Sequence, residues 1–99
     1  MSTIKSQTFT EVRINNQDPG TKLFNVTLNC ALITAAVNAT GTVLVSFRQS
    51  NTNAAWMTLP FALPGNYWAF DYSVGAVQIS NTNGDMPNGV DFKIVAIAI

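Results

Sequence analysis

In the stretch TVLVSFRQ, Thr42–Gln49, every second residue is a β-branched or aromatic apolar residue. Val43, Val45 and Phe47 fall on one face of a strand, because successive side chains of a strand point to opposite sides of its sheet. Most of the residues between them are polar, which is typical of a half-buried strand. The stretch predicts an antiparallel sheet with one face against a core.

The same period of two extends along most of the chain. Turn residues such as Pro19-Gly20 and Pro64-Gly65 interrupt it. Only ALITAAVNAT, residues 31–40, contains enough alanine to permit a helix, and the alternation of Ile33, Ala35 and Val37 favours a strand there. We therefore predict an all-β fold, a single antiparallel β-sandwich (jelly-roll or immunoglobulin-like) of seven to eight short strands that fills residues 1–99. The predicted strands are 3–14, 22–30, 32–38, 42–50, 54–61, 67–74, 76–81 and 90–99.

The composition limits the classes of partner. Charged residues make up 10% of the chain, five basic and five acidic, against about 25% in an average domain. Without a basic patch, neither nucleic acid nor a membrane surface is an expected partner. No apolar run reaches the length of a transmembrane helix, and the N-terminal residues lack the apolar core of a signal peptide, which predicts synthesis in the cytoplasm. The low charge favours a surface that contacts other proteins, and a neutral polar monomer is the alternative.

The residues needed for common catalytic and metal sites are scarce. The chain has no histidine, which excludes Ser-His triads and histidine metal sites. Its single cysteine, Cys30, cannot form an internal disulfide or a thiolate zinc site, and its phase with Leu28 predicts a buried side chain. We predict no enzymatic activity, no catalytic residue, no metal and no cofactor. Two alternatives stay open: a hydrolase that uses two carboxylates, and calcium bound by the NTNGD segment, Asn81–Asp85.

Ser-Asn-Thr-Asn occurs twice, at residues 50–53 and 80–83, each time after an alternating strand. These residues hydrogen-bond local backbone in turns, so turn formation explains the repeat without a ligand. Exposed aromatic rings can stack on sugars, and small sandwiches also need such rings in their cores. The candidate glycan-binding residues are Trp56, Tyr67, Asn51 and Asn53.

The final strand, VDFKIVAIAI, Val90–Ile99, is apolar on both faces. A strand of this kind needs cover on both sides, either within its own chain or from a neighbouring subunit. We predict a homo-oligomer with Val95, Ile97 and Ile99 at the subunit interface.

The segment VSFRQSNTNAAWMTLP, residues 45–60, resembles a hairpin of β-sandwich modules in phage virions and tail-associated proteins. Ser50, Asn51 and Trp56 occupy the matching positions, and residues 77–99 are similar to the last hairpin of such modules. The resemblance implies a structural or adhesive role without catalysis, alongside other structural proteins of the virion. The expected function is a non-enzymatic, self-associating subunit of a bacteriophage virion, in capsid decoration or near the tail. The alternative is a carbohydrate-binding module or lectin.

Overall fold

Two antiparallel sheets pack against each other in the computed structural model, which describes residues 3–82, 84 and 88–99. Nine strands and one short helix are assigned within these ranges. In chain order they are β1 (Thr3–Val12), β2 (Asn16–Gln17), β3 (Phe24–Asn29), α1 (Ala35–Thr40), β4 (Thr42–Gln49), β5 (Met57–Thr58), β6 (Phe61–Leu63), β7 (Asn66–Ser73), β8 (Ala76–Asn81) and β9 (Val90–Ala98). The predicted fold class, a single all-β antiparallel β-sandwich, is confirmed.

The first and last strands are neighbours in the same sheet. The four-stranded sheet, sheet A, has the order β1-β9-β4-β5, and the five-stranded sheet, sheet B, has the order β2-β3-β8-β7-β6. The C-terminal strand β9 is therefore central, paired with β1 on one side and β4 on the other. Nearly all of its residues are paired on both sides, which places the apolar final strand inside its own sheet.

The core lies between the sheets and is built from the alternating residues of the opening stretch. Val43, Val45 and Phe47 of β4 are all buried, as the alternation predicts. From sheet B, Trp68 stacks on Phe47 with ring centroids 4.5 Å apart and an interplanar angle of 20°. Cys30 is also fully buried, which confirms its predicted place in the core.

The strand predicted over residues 32–38 is wrong, because Ala35–Thr40 form the helix α1. Thr34 caps its N-terminus: the hydroxyl accepts a hydrogen bond from the backbone N–H of Val37 at 3.2 Å. Ile33 and Val37 are buried while Ala35 is exposed, so the buried positions here are four residues apart. That spacing suits a helical turn. The period of two in this segment depended on Ala35, a small residue that fits a helix or a strand equally well.

The predicted strand 54–61 is also divided. β5 covers only Met57–Thr58, and the chain then crosses to sheet B at β6. Pro60 lies between the two pieces and has no N–H to donate to a sheet. The division adds one strand, β2 adds another, and α1 replaces one of the predicted strands. The described strands therefore number nine, against the predicted seven to eight.

Candidate functional site

An apolar patch covers one end of the outward face of sheet A. We define it as Ile4 of β1, Val95 and Ile97 of β9, and Leu44 of β4. The strand register places Ile4 beside Ile97, and Val95 beside Leu44. Ile4 is 69% exposed and Leu44 is 46% exposed, while Val95 and Ile97 are half-buried by their neighbours. The patch is thus a contiguous apolar surface of three adjacent strands, a feature that marks interaction sites when it is large.

The predicted interface residues fall at this patch or next to it. Val95 and Ile97 point away from the core, whereas Phe92 and Ile94 of the same strand are fully buried. Ile99 follows the end of β9 and is 79% exposed. No part of the described chain covers this face enough to bury the two half-buried residues.

Ile4 and Leu44 were not among the predicted interface residues. Leu44 carries a sequence signal, because it is the one apolar residue on the otherwise polar face of its strand. Ile4 carries no such signal, because a single isoleucine in TIKSQTFT is as compatible with a core position as with an outward-facing one. Only the register of β1 on β9 shows that it lies beside Ile97.

The other end of the same face is polar and carries Trp56. The Arg48 guanidinium carbon and the Lys93 ammonium nitrogen each lie 4.4 Å from the centre of the Trp56 ring. Such contacts are attractive because a cation interacts with the negative face of an aromatic ring, by about 0.5–1 kcal/mol each at an exposed site. Trp56 is therefore held against sheet A by two cations of its own chain.

Asp91 anchors the strand beneath this end of the face. Its Oδ1 accepts a hydrogen bond from the Ser50 hydroxyl at 2.6 Å and one from the Glu11 backbone N–H at 3.0 Å. The hydrogen bond from Ser50 contributes most to holding the pKa of Asp91 below its ordinary value, with smaller contributions from Glu11 and Arg48, and burial opposes them. Arg48 Nε lies 3.5 Å from Asp91 Oδ2, close enough for an ion pair but without the geometry of a hydrogen bond.

The Ser50–Asp91 pair fits a structural role better than a catalytic one. The Ser50 hydroxyl is buried, and a carboxylate of lowered pKa is a weak base for activating it. Glu11, whose N–H the carboxylate binds, has a positive φ of 54° at the bulge of β1. The pair therefore fixes an irregular part of β1 onto β9.

The candidate glycan-binding residues do not form one site. Tyr67, 53% exposed, is on the outward face of sheet B, because its neighbour Trp68 points into the core. Trp56 covers the outward face of sheet A, on the opposite side of the sandwich. Asn51 and Asn53 are exposed in the loop that leads to Trp56.

The outward face of sheet B is polar and carries two adjoining clefts. They measure about 220 Å³ and 310 Å³, and Asp71 and Gln78 line both. Asp71 points away from the core here, as its alternation with Phe70 and Tyr72 predicts. Thr27, Asn25 and Ser80 complete a surface of hydroxyl and amide groups.

The two Ser-Asn-Thr-Asn segments differ in their buried residue. In the first, Ser50 is buried and the Thr52 hydroxyl donates to the Gln49 carbonyl at 2.7 Å. In the second, Asn81 is buried and its Oδ1 accepts from the Gly84 N–H at 2.6 Å. Each segment bonds its own turn through different residues, so the repeat is not a duplicated site.

Among the residues that the structure describes, no three Asp, Glu or Cys side chains converge as metal ligands. Asn83 and Asp85, part of the calcium candidate, lie outside those residues. The helix found within the described ranges is too short to cross a membrane.

The fold and these surfaces define the chain as an antiparallel β-sandwich with an exposed apolar patch. Comparisons with protein-family models, curated proteins and solved structures find no match to it. Its function is therefore inferred from its own residues.

Proposed function

We propose that the chain is a non-enzymatic structural protein that self-associates through the apolar patch of sheet A. The observation that supports this is the side-by-side exposure of Ile4, Leu44, Val95 and Ile97 on three adjacent strands. Burying such a surface against a second copy removes apolar area from water, which is the main driving force of protein association. The low charge of the chain lowers the desolvation cost of the same contact.

The kind of assembly we propose is a virion particle, with the chain as a capsid-decoration or tail-associated subunit in contact with other structural proteins. The resemblance of residues 45–60 to phage modules supports this assignment. The rigid sandwich and the predominantly polar Ser-Asn-Thr-Asn loops suit a scaffold more than a catalyst.

The native mass of Ile97→Asp tests the proposal. We expect the wild-type chain to form a discrete oligomer, and the variant to form a smaller species or to be insoluble, because the new carboxylate would be desolvated in the interface. Residues at the centre of an interface commonly contribute 2 kcal/mol or more, which corresponds to about a thirtyfold weaker association. Analytical ultracentrifugation over a concentration series measures the change.

The matched control is Asn29→Asp, which adds the same charge to an outward-facing strand position of sheet B. It should leave the oligomer intact. A wild-type chain that stays monomeric at high concentration, or equal effects of the two variants, would refute association through the patch.

A second candidate function is carbohydrate binding on the outward face of sheet B. Tyr67 and Asp71 project from β7 on this face, and Gln78 lies opposite Asp71 on β8. An exposed ring on the same face as amide and carboxylate groups, about 13 Å away along the strand, offers stacking and hydrogen bonds to a neutral sugar of two or more rings.

A glycan array with the isolated protein tests this candidate. Specific binding that is lost in Tyr67→Ala and Gln78→Ala, but kept in Trp56→Ala, would support it. Trp56→Ala is the matched control because it removes an aromatic residue from the opposite face. Absence of binding to any glycan would contradict a lectin function.

A further inference from the structure

The four edge strands of the sandwich differ greatly in length. β2 and β5 have two residues each and β6 has three. β1 has ten, Thr3–Val12, and it pairs with β9 on one side while no described strand pairs with its other side. An uncovered edge offers a row of backbone N–H and C=O groups to another extended chain. At the other three edges the short strands leave parts of β3, β4 and β7 uncovered, in runs of at most five residues. β1 is therefore the longest edge of the described chain to which a strand can be added.

The sequence of β1 has few features that keep edge strands apart. Between Thr3 and Thr10 it contains one charged residue, Lys5, and neither proline nor glycine. Lys5 is on the inward face, where it lines a cleft with Leu32 and Val37. The bulge at Glu11 ends the regular pairing of β1 after Phe9. The regular edge is therefore the seven-residue segment Thr3–Phe9.

We propose that two copies of the chain pair antiparallel through Thr3–Phe9 and join their four-stranded sheets into one sheet of eight strands. This inference goes beyond the proposed association through the apolar patch, because it adds a second contact at the edge of sheet A. The partner is a second copy because the segment can pair with itself over its full length about its central residue, Ser6, without placing like charges opposite each other. The two Ser6 residues then lie opposite each other on the two-fold axis.

Symmetry and charge select this register. Opposite residues in an antiparallel pair share one face of the sheet, so a two-fold axis has to pass through a residue. With the axis at Ser6, all seven residues pair, Ile4 lies opposite Thr8, and Lys5 lies opposite Gln7. With the axis at Lys5, two like charges would be opposed, which is destabilising. With the axis at Gln7, the pairing would run into the bulge.

The pairing also places the apolar patches of both copies on the same face of the joined sheet. Within one copy, Leu44, Val95 and Ser6 form one row across the outward face of sheet A. In the proposed dimer this row continues through Ser6, Val95 and Leu44 of the second copy, so that the two serines separate the apolar residues. Both patches therefore stay available for association with further subunits.

Cysteine cross-linking tests the edge pairing. In a Cys30→Ala background, Ser6→Cys should form a covalent dimer on mild oxidation or with a short thiol cross-linker, since opposite Cβ atoms of paired strands lie about 4.5–5.5 Å apart. Asn29→Cys is the matched control, because it places an exposed thiol on an outward-facing strand position of sheet B, outside both the edge of β1 and the apolar patch. We expect roughly tenfold or more dimer from Ser6→Cys than from Asn29→Cys.

The register has its own test. Ile4→Cys and Thr8→Cys should each fail to cross-link alone but react when mixed, because each lies opposite the other. Cross-linking of Ser6→Cys should also persist when Ile97→Asp is added, since that residue is on the face and not at the edge.

Two results separate this inference from the proposed function. A wild-type oligomer in which Ser6→Cys gives no more dimer than Asn29→Cys would overturn the edge pairing and leave association through the apolar patch in place. A wild-type chain that stays monomeric at high concentration would overturn both.

Discussion

Replacing Trp68 by alanine should remove a large part of the stability of this protein. The side chain is 1% exposed, stacks on Phe47 of the opposite sheet, and lies 6.3 Å from Phe92 between ring centroids. Truncating a buried tryptophan typically costs about 3–5 kcal/mol, because the apolar contacts are lost and a cavity remains. Domains of this size have a total free energy of unfolding of about 5–15 kcal/mol, so this loss is between about a fifth and the whole of the total. Urea unfolding followed by far-UV circular dichroism measures the loss.

Tyr67→Ala is the matched control for this variant. It removes an aromatic ring from the adjacent residue of the same strand, but from the exposed face. We expect a change within about 0.5 kcal/mol, as for most surface substitutions. A loss below 1 kcal/mol for Trp68→Ala, or similar losses for both variants, would show that the two sheets are not held together around Trp68.

The period of two was sufficient to predict the fold class. In β4, β7 and β9 the buried and outward-facing residues alternate as the sequence indicates, because these strands cross the centre of a sheet with one face on the core. A strand in that position buries its apolar residues by placing them at every second position, on the face that contacts the core. The alternation therefore predicted both the core residue Phe47 and the outward direction of Val95.

Prediction failed where local capping decided the structure. In residues 31–40 the deciding feature is one hydroxyl, that of Thr34, which bonds the first turn of α1. Small alanines fit a helix or a strand equally well in a pattern of apolar residues. The alternation of Ile33, Ala35 and Val37 then carried little information.

The candidate surfaces needed the strand order as well as the pattern. Ile4 and Ile97 are 93 residues apart in the chain and become neighbours only because β1 pairs with β9. Lys93 likewise reaches Trp56 only because β4 pairs with β9 on one side and with β5, which follows Trp56, on the other. The sequence identified Val95 and Ile97 through their own strand, but it could not predict which other strands complete the patch.

The second large effect is expected at Asp91. This side chain, 7% exposed, holds the Ser50 hydroxyl and the Glu11 N–H and is paired with Arg48. Asp91→Asn keeps the shape but removes the charge, so the hydrogen bonds weaken and the Arg48 guanidinium loses its counterion. A hydrogen bond to a charged group contributes about 1.5–3 kcal/mol, and we expect a loss of about 2 kcal/mol at neutral pH. The matched control is Asp71→Asn, which removes an exposed carboxylate from sheet B and should change stability by less than about 0.5 kcal/mol.

The pH dependence distinguishes the lost charge from a packing defect. The pKa of Asp91 is lower in the folded chain than in the unfolded chain, chiefly because of the hydrogen bond from Ser50. Its contribution to stability is therefore complete above the unfolded value, about 3.9, and is lost as the pH falls through the lower folded value. The difference in unfolding free energy between wild type and Asp91→Asn should be constant from pH 7 to about 5 and shrink below about 4. A difference that stays the same down to pH 3 would mean that the carboxylate charge contributes nothing and that the variant acts through packing alone.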